Sequence, residues 1–290
     1  MARRLKFKRR TTIYLGRIHL HKDLDYYSKQ KEPVNFISER LTSLVKKNEI
    51  KKHISHPDFE WKFGGVVEGD GFIYGKLGKI KKSKIRTVYD DNKEDFIELE
   101  DMVGDAEVSH FCIFFKEHII LFERRPNLGH KELIYIFSEY YNKLFDHKGG
   151  MDIGLLQNKA EIIKILKQAE KLTLVKFNLI PSNPDNSDDL KKMDEALKEI
   201  NADKAKFEVE NKEDGLEFKK PNLLTSSFAL CDRGYGSYVL TYKKGDQELK
   251  IESRSKIIKE SLDLPSETEK ILKEFRRILA QAKAILDENE

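Results

Sequence analysis

Between residues 59 and 122 the chain alternates short apolar runs with glycines and charged pairs, and that rhythm constrains the fold more than any other feature. The runs cover 59–67, 72–77, 80–89, 96–99, 108–115 and 118–122, each of strand length. Glycines at 64, 65, 69, 71, 75 and 78 fall between or at the edges of the first of them, where turns, bulges and hairpins need them. Lys116-Glu117 separates FCIFF from HIILF, a spacing that suggests a tight hairpin. Strands joined this closely pair antiparallel, because parallel pairing needs a long crossover.

Helical periodicity brackets this region. Residues 33–47 place Phe36, Ile37, Leu41, Leu44 and Val45 on one side, and 130–145 place Leu133, Phe137, Tyr140, Tyr141 and Leu144 likewise. With a strand at 12–20, one mainly antiparallel sheet covered by two helices accounts for residues 11–148. A helix follows from Asn158 through Ala169. Next come a strand to Ile180, a helix marked by Leu190, Met193, Leu197 and Ile200, and a short strand at 204–210. This βαβ unit reads as a small α/β insert. Segments 226–231, 237–243 and 247–252 read as strands, and a terminal helix carries Ile271, Phe275, Ile278, Ala282 and Ile285 on one face. The class is therefore α+β, in three parts: an N-terminal antiparallel domain with a basic hairpin (1–150), the insert (151–215), and a β-hairpin with a long helix (216–290). That helix is expected to close the core.

Several chemistries are excluded early. The two cysteines, Cys112 and Cys231, lie far apart inside apolar runs, so neither a disulfide framework nor a cysteine-ligated metal site is expected. No apolar run approaches the ~18 residues of a membrane span. The chain reads as cytoplasmic, without membrane insertion. The glycine string lacks the spacing and the following helix of a phosphate-cradling loop, and no nucleophile elbow occurs. His19 and His21 share a strand face but nothing completes a ligand set, so no metal and no cofactor is expected. If the chain is an enzyme, the residues favour a metal-dependent nuclease, through the E-x-K of Glu248-Leu249-Lys250 with Asp232 on a neighbouring strand. A non-catalytic role is the preferred reading.

Charge distribution is more informative than the net value of +4. Residues 1–22 hold eight basic side chains and no acid, whereas 90–107 hold nine acids against one base. GKLGKIKKSKIR, at 75–86, carries six basic residues and no acid. Lys82, Lys84 and Arg86 share one side of an extended strand. The expected nucleic-acid contacts are the arm Arg3, Arg4, Arg9 and Arg10, the hairpin residues Lys76, Lys79, Lys81, Lys82, Lys84 and Arg86, and the pair Arg124 and Arg125. Such rows neutralise phosphates without reading bases. Two plainer roles stand beside this one: a lysine-protected edge strand, and pairing of the arginines with the acids of 90–107. The acidic insert, with eleven acids against six bases in 183–214, could instead dock a partner protein.

The order of segments also resembles a known family. LTLVKFNLIPSNPDNSDDLKKMDEALKEINADKAKFEVE is followed by LTSSFALCDRGYGSYVLTYKKGDQELKIESRS and a long helix. In order and character, over roughly 150–288, this is similar to the RexA-like phage-exclusion proteins and the related KwaB-type defence subunits. The resemblance implies a homodimer in which a globular domain and a swivelling insert flank DNA, acting as a non-catalytic sensor of phage infection.

Overall fold

The computed structural model describes residues 9–20, 33–46, 56, 58–81, 85–90, 94–100, 106–145, 150–182, 191–218, 220, 222–255 and 257–287. Along the first half run β1 (Arg9–Leu20), α1 (Pro33–Lys46), β2 (Phe59–Gly69), β3 (Phe72–Lys81), β4 (Ile85–Asp90), β5 (Asp95–Glu100), β6 (Ala106–Phe114), β7 (Ile119–Arg124) and α2 (His130–Leu144). There follow β8 (Met151–Leu155), α3 (Lys159–Gln168), β9 (Lys171–Leu179), α4 (Lys191–Glu199), β10 (Ala205–Glu210), α5 (Leu223–Asp232), β11 (Gly236–Lys244), β12 (Gln247–Glu252), β13 (Lys259–Leu264) and α6 (Thr268–Asp287). The fold is α+β, built on antiparallel sheets with a long C-terminal helix.

The first sheet runs β13-β1-β7-β6-β3-β2, with β8 also on β1. β13 takes the first half of one edge of β1 and β8 takes the second half. Helices cover both faces. Tyr14, Ile18 and Leu20 point into a core with Leu41, Leu44 and Val45 of α1 and with Leu133, Phe137 and Tyr141 of α2. Ile13 and Leu15 point the other way, against Ile271, Phe275, Ile278 and Ala282 of α6. Two covered faces explain why FCIFF and HIILF are apolar at nearly every position. Phe111, Ile113, Ile120 and Phe122 fill one core, and Cys112, Phe114, Ile119 and Leu121 fill the other. Each such side chain contributes about 1.5–3 kcal/mol. Helix α6 closes the second core, as its periodicity predicts. Burial pushes the thiols of Cys112 and Cys231 well up, so neither is a nucleophile at neutral pH.

The second sheet runs β10-β9-β11-β12. It combines strands from both sides of residue 215, so the insert and the following hairpin build one sheet. β9 and β10 flank α4 and pair antiparallel with each other. Segment 226–231, expected as a strand, is helical. Asn222 caps α5 by accepting from the amides of Leu224 and Thr225, while Thr225 Oγ accepts from the Asn222 amide. α4 buries Met193 and Leu197 as expected, but it ends at Glu199, leaving Ile200 exposed in the turn. β4 and β5 form a separate two-stranded ribbon.

The two sheets meet at the Arg233-Gly234-Tyr235-Gly236 turn. Tyr235 is fully buried, its ring centroid 4.4 Å from that of His19 and beneath the Arg17 guanidinium. His19 Nε2 donates to the Gly234 carbonyl at 2.9 Å, and Gln157 Nε2 donates to the Gly236 carbonyl at 3.1 Å. Gly234 adopts φ +87°, and the backbones of 154 and 234 pass so close that a Cβ at Gly154 would lie 1.9 Å from the Gly234 oxygen.

Candidate nucleic-acid interface

The start of α2 organises the most cationic part of the first sheet. Gly129 occupies the N-cap position and supplies no side-chain cap, leaving first-turn amides and the positive end of the helix dipole to other partners. His130, the first helical residue, stacks on Tyr14 at 4.8 Å. Tyr14 shares its strand face with Thr12 and Arg10, because alternate residues do. Directly paired residues in neighbouring strands share that face too. Arg124 lies opposite Thr12 on one side, while Ser261 and Lys259 lie opposite Thr12 and Tyr14 on the other.

Arg124, Lys131 and Lys259 thus gather around His130, with Arg10 farther out on the same strand face; all four are exposed, and none forms a salt bridge among the described residues. The histidine registers their field. Its pKa lies below the ordinary value, first through burial and then through Lys131, Arg124 and Lys259. Thr12 and Ser261 add two hydroxyls, 3.3 Å apart. Asp263, opposite Arg10, is the acid nearest in register.

Lys79 and Lys81 belong to the same face farther along the sheet, since they alternate with Leu77 of the α1/α2 core. Their situations differ. Lys79 is tied to Glu132 at 2.8 Å, donates to the Asn127 carbonyl at 3.0 Å and lies over the Phe59 ring. Glu132 also accepts from Trp61 Nε1 at 3.2 Å. Lys79 therefore anchors β3 to the first turn of α2, and its charge is already matched. Lys81 is exposed at the strand end.

Lys76 and Arg125 lie elsewhere. Lys76, opposite His110 in the register, covers Gly65 with its stem. Arg125 Nε donates to the Val108 carbonyl at 2.7 Å, and its Nη2 lies 3.2 Å from Glu123, which is 1% exposed. Its acid partner among the described residues is Glu123, outside the 90–107 block, while Glu107 of that block accepts from the Asn127 amide at 2.7 Å. Between Lys76 and Arg125, His110 is pushed down to about 4, by burial first and then by those two cations. Its Nδ1 shares a hydrogen bond with Tyr74 Oη at 2.5 Å, and burial raises that phenol to about 12.

Arg3, Arg4, Lys82 and Lys84 lie outside the described residues, as do the side chains of Arg9 and Arg86. Of the expected contacts, Arg10, Arg124, Lys79 and Lys81 come to one face, and Lys76 and Arg125 do not. Lys131 and Lys259 join the site without having been expected. The alternation K-E-S-L-D-L over β13, with Leu262 and Leu264 partly buried, was the available signal for Lys259.

The nuclease arrangement does not form. Glu248 and Lys250 project from β12 away from the core that Leu249 and Ile251 join, whereas Asp232 ends helix α5 on the core side. Among the described residues no group of three His, Cys, Asp or Glu side chains could hold a metal ion. No described helix is long and apolar enough to cross a membrane.

The family model described as Domain of unknown function (DUF4747) matches residues 24–280, and the chain belongs to that family. No curated protein matches it significantly. Arg124, Lys131 and Lys259 fall inside the matched span and Arg10 precedes it.

Proposed function

We propose that this member of the DUF4747 family binds DNA through its phosphates, without reading sequence, as a non-catalytic, homodimeric component of antiviral defence. One observation carries the binding: three exposed cations without salt-bridge partners among the described residues, Arg124, Lys131 and Lys259, surround the uncapped start of α2, with Arg10 on the same strand face. Exposed charges on a helix N-terminus are the usual physical means of holding a phosphate, and a phosphate row needs no base contact. Lys81 lies on the same face. The defence role and the dimer rest on the likeness in segment order to the RexA-like and KwaB-type proteins.

A mobility-shift titration on duplex DNA, single-stranded DNA and RNA over a salt series tests the reading. Duplex binding at about 50 mM salt that weakens steeply by about 200 mM is expected. No binding to any of the three at low salt would remove the proposal.

A further inference from the structure

The second sheet contains a cavity of about 800 Å³, bounded by the end of α3, the start of β9, the 214–218 loop and the inner face of α5. That volume suits a small molecule. Leu172, Leu216, Phe218 and Phe228 make most of its wall apolar. Two buried polar side chains are set among them. Tyr238 is 2% exposed, and its hydroxyl has no hydrogen-bond partner among the described residues, which a buried phenol normally finds. Asp232, 6% exposed, is the last residue of α5, at the negative end of that helix.

The electrostatics point one way. Glu170, Asp214, Glu217 and Asp232 line the cavity against Lys167 and Lys171, and the Lys171 ammonium is held by the Glu213 carbonyl. Burial, and then the Asp232 charge, push the Tyr238 phenol far up, so it stays protonated. Phe228 packs edge-on against Tyr238, with centroids 4.8 Å apart, and offers an aromatic wall.

We propose that this cavity is a binding site for a small organic cation, an ammonium or amidinium carried on an apolar body. The carboxylate of Asp232 and the helix end attract the charge, Tyr238 Oη accepts one of its hydrogens, and the aromatic wall packs on the body while favouring the cation. The same charges repel phosphate-bearing ligands. The site lies apart from the cations around α2 and does not depend on nucleic-acid binding.

Calorimetric titration of the full chain with tryptamine, with its neutral counterpart tryptophol, and with AMP tests the proposal. Tryptamine should saturate, tryptophol should bind roughly ten-fold more weakly or worse, and AMP should not compete. Asp232→Asn should bring tryptamine down to the tryptophol level, and Tyr238→Phe should weaken it by about two- to five-fold. Equal binding of amine and alcohol, preference for AMP, or no saturation by tryptamine below about 1 mM overturns the assignment. The wild-type comparison stands even where a variant fails to fold.

Discussion

Replacing Gly154 by alanine attacks the joint between the sheets at its narrowest point. The new Cβ would lie 1.9 Å from the Gly234 oxygen and 3.0 Å from its carbonyl carbon. Both are backbone atoms and cannot rotate aside, so the strands must separate by more than 1 Å to restore ordinary contact, about 3.4 Å or more. That movement strains the 2.9 Å bond from His19 to Gly234 and the 3.1 Å bond from Gln157 to Gly236. Each costs about 1–1.5 kcal/mol when lost, and more where a buried group is left unmatched. Tyr235, fully buried between His19 and Arg17, would lose part of its packing, adding about 1–2 kcal/mol. The expected loss is about 3–5 kcal/mol, read from urea denaturation followed by circular dichroism and by the single tryptophan, Trp61. Gly64→Ala is the control, since a Cβ there meets nothing within 4 Å. A Gly154→Ala loss below about 1 kcal/mol, matching that control, would refute the reasoning. The same contacts oppose free swivelling, because rotation about this turn would have to break them.

Three further outcomes follow from the packing. Arg125→Ala removes the cation that balances Glu123, which is 1% exposed and still accepts from the His110 amide, and should cost about 3–5 kcal/mol in denaturant melts; a loss under about 1 kcal/mol contradicts the buried pair. His110 is held down to about 4 in the fold, so the unfolded chain binds more protons than the folded one between about pH 6.5 and 4. Stability from this residue is complete above about pH 6.5 and falls as pH drops through that window, by at most about 3 kcal/mol, and His110→Gln should flatten the slope. Lys79→Met should lower stability by about 1–3 kcal/mol through the loss of Glu132 and Asn127 contacts, while changing DNA affinity less than Lys131→Met does.

Local pattern made the first sheet legible. Alternation and glycine punctuation mark β2, β3, β6 and β7, and the periodicity of α2 and α6 identifies the faces they bury. Segment 226–231 misled because its short apolar run, Phe228 to Cys231, fits a buried strand as well as a buried helix, whereas the deciding residue is Asn222, four positions upstream of 226, whose cap sets the helix. β13 is short and half polar, so its alternation is weak and only pairing with β1 defines it. The cationic site was partly hidden for the same reason. Lys259 and Arg10 are distant in sequence and adjacent only through that pairing, and the salt bridge occupying Lys79 comes from Glu132, 53 residues away. Charge runs mark where cations are, and long-range partners decide which remain available.

The most direct test of DNA binding is the salt dependence of affinity for a short duplex, wild type against Arg124→Gln/Lys131→Gln/Lys259→Gln. Each phosphate contact contributes about 0.9 to the slope of log affinity on log salt. The triple variant should bind more weakly and show a slope shallower by about 2–3, with melting unchanged. An unchanged slope and affinity in the folded variant would contradict the account.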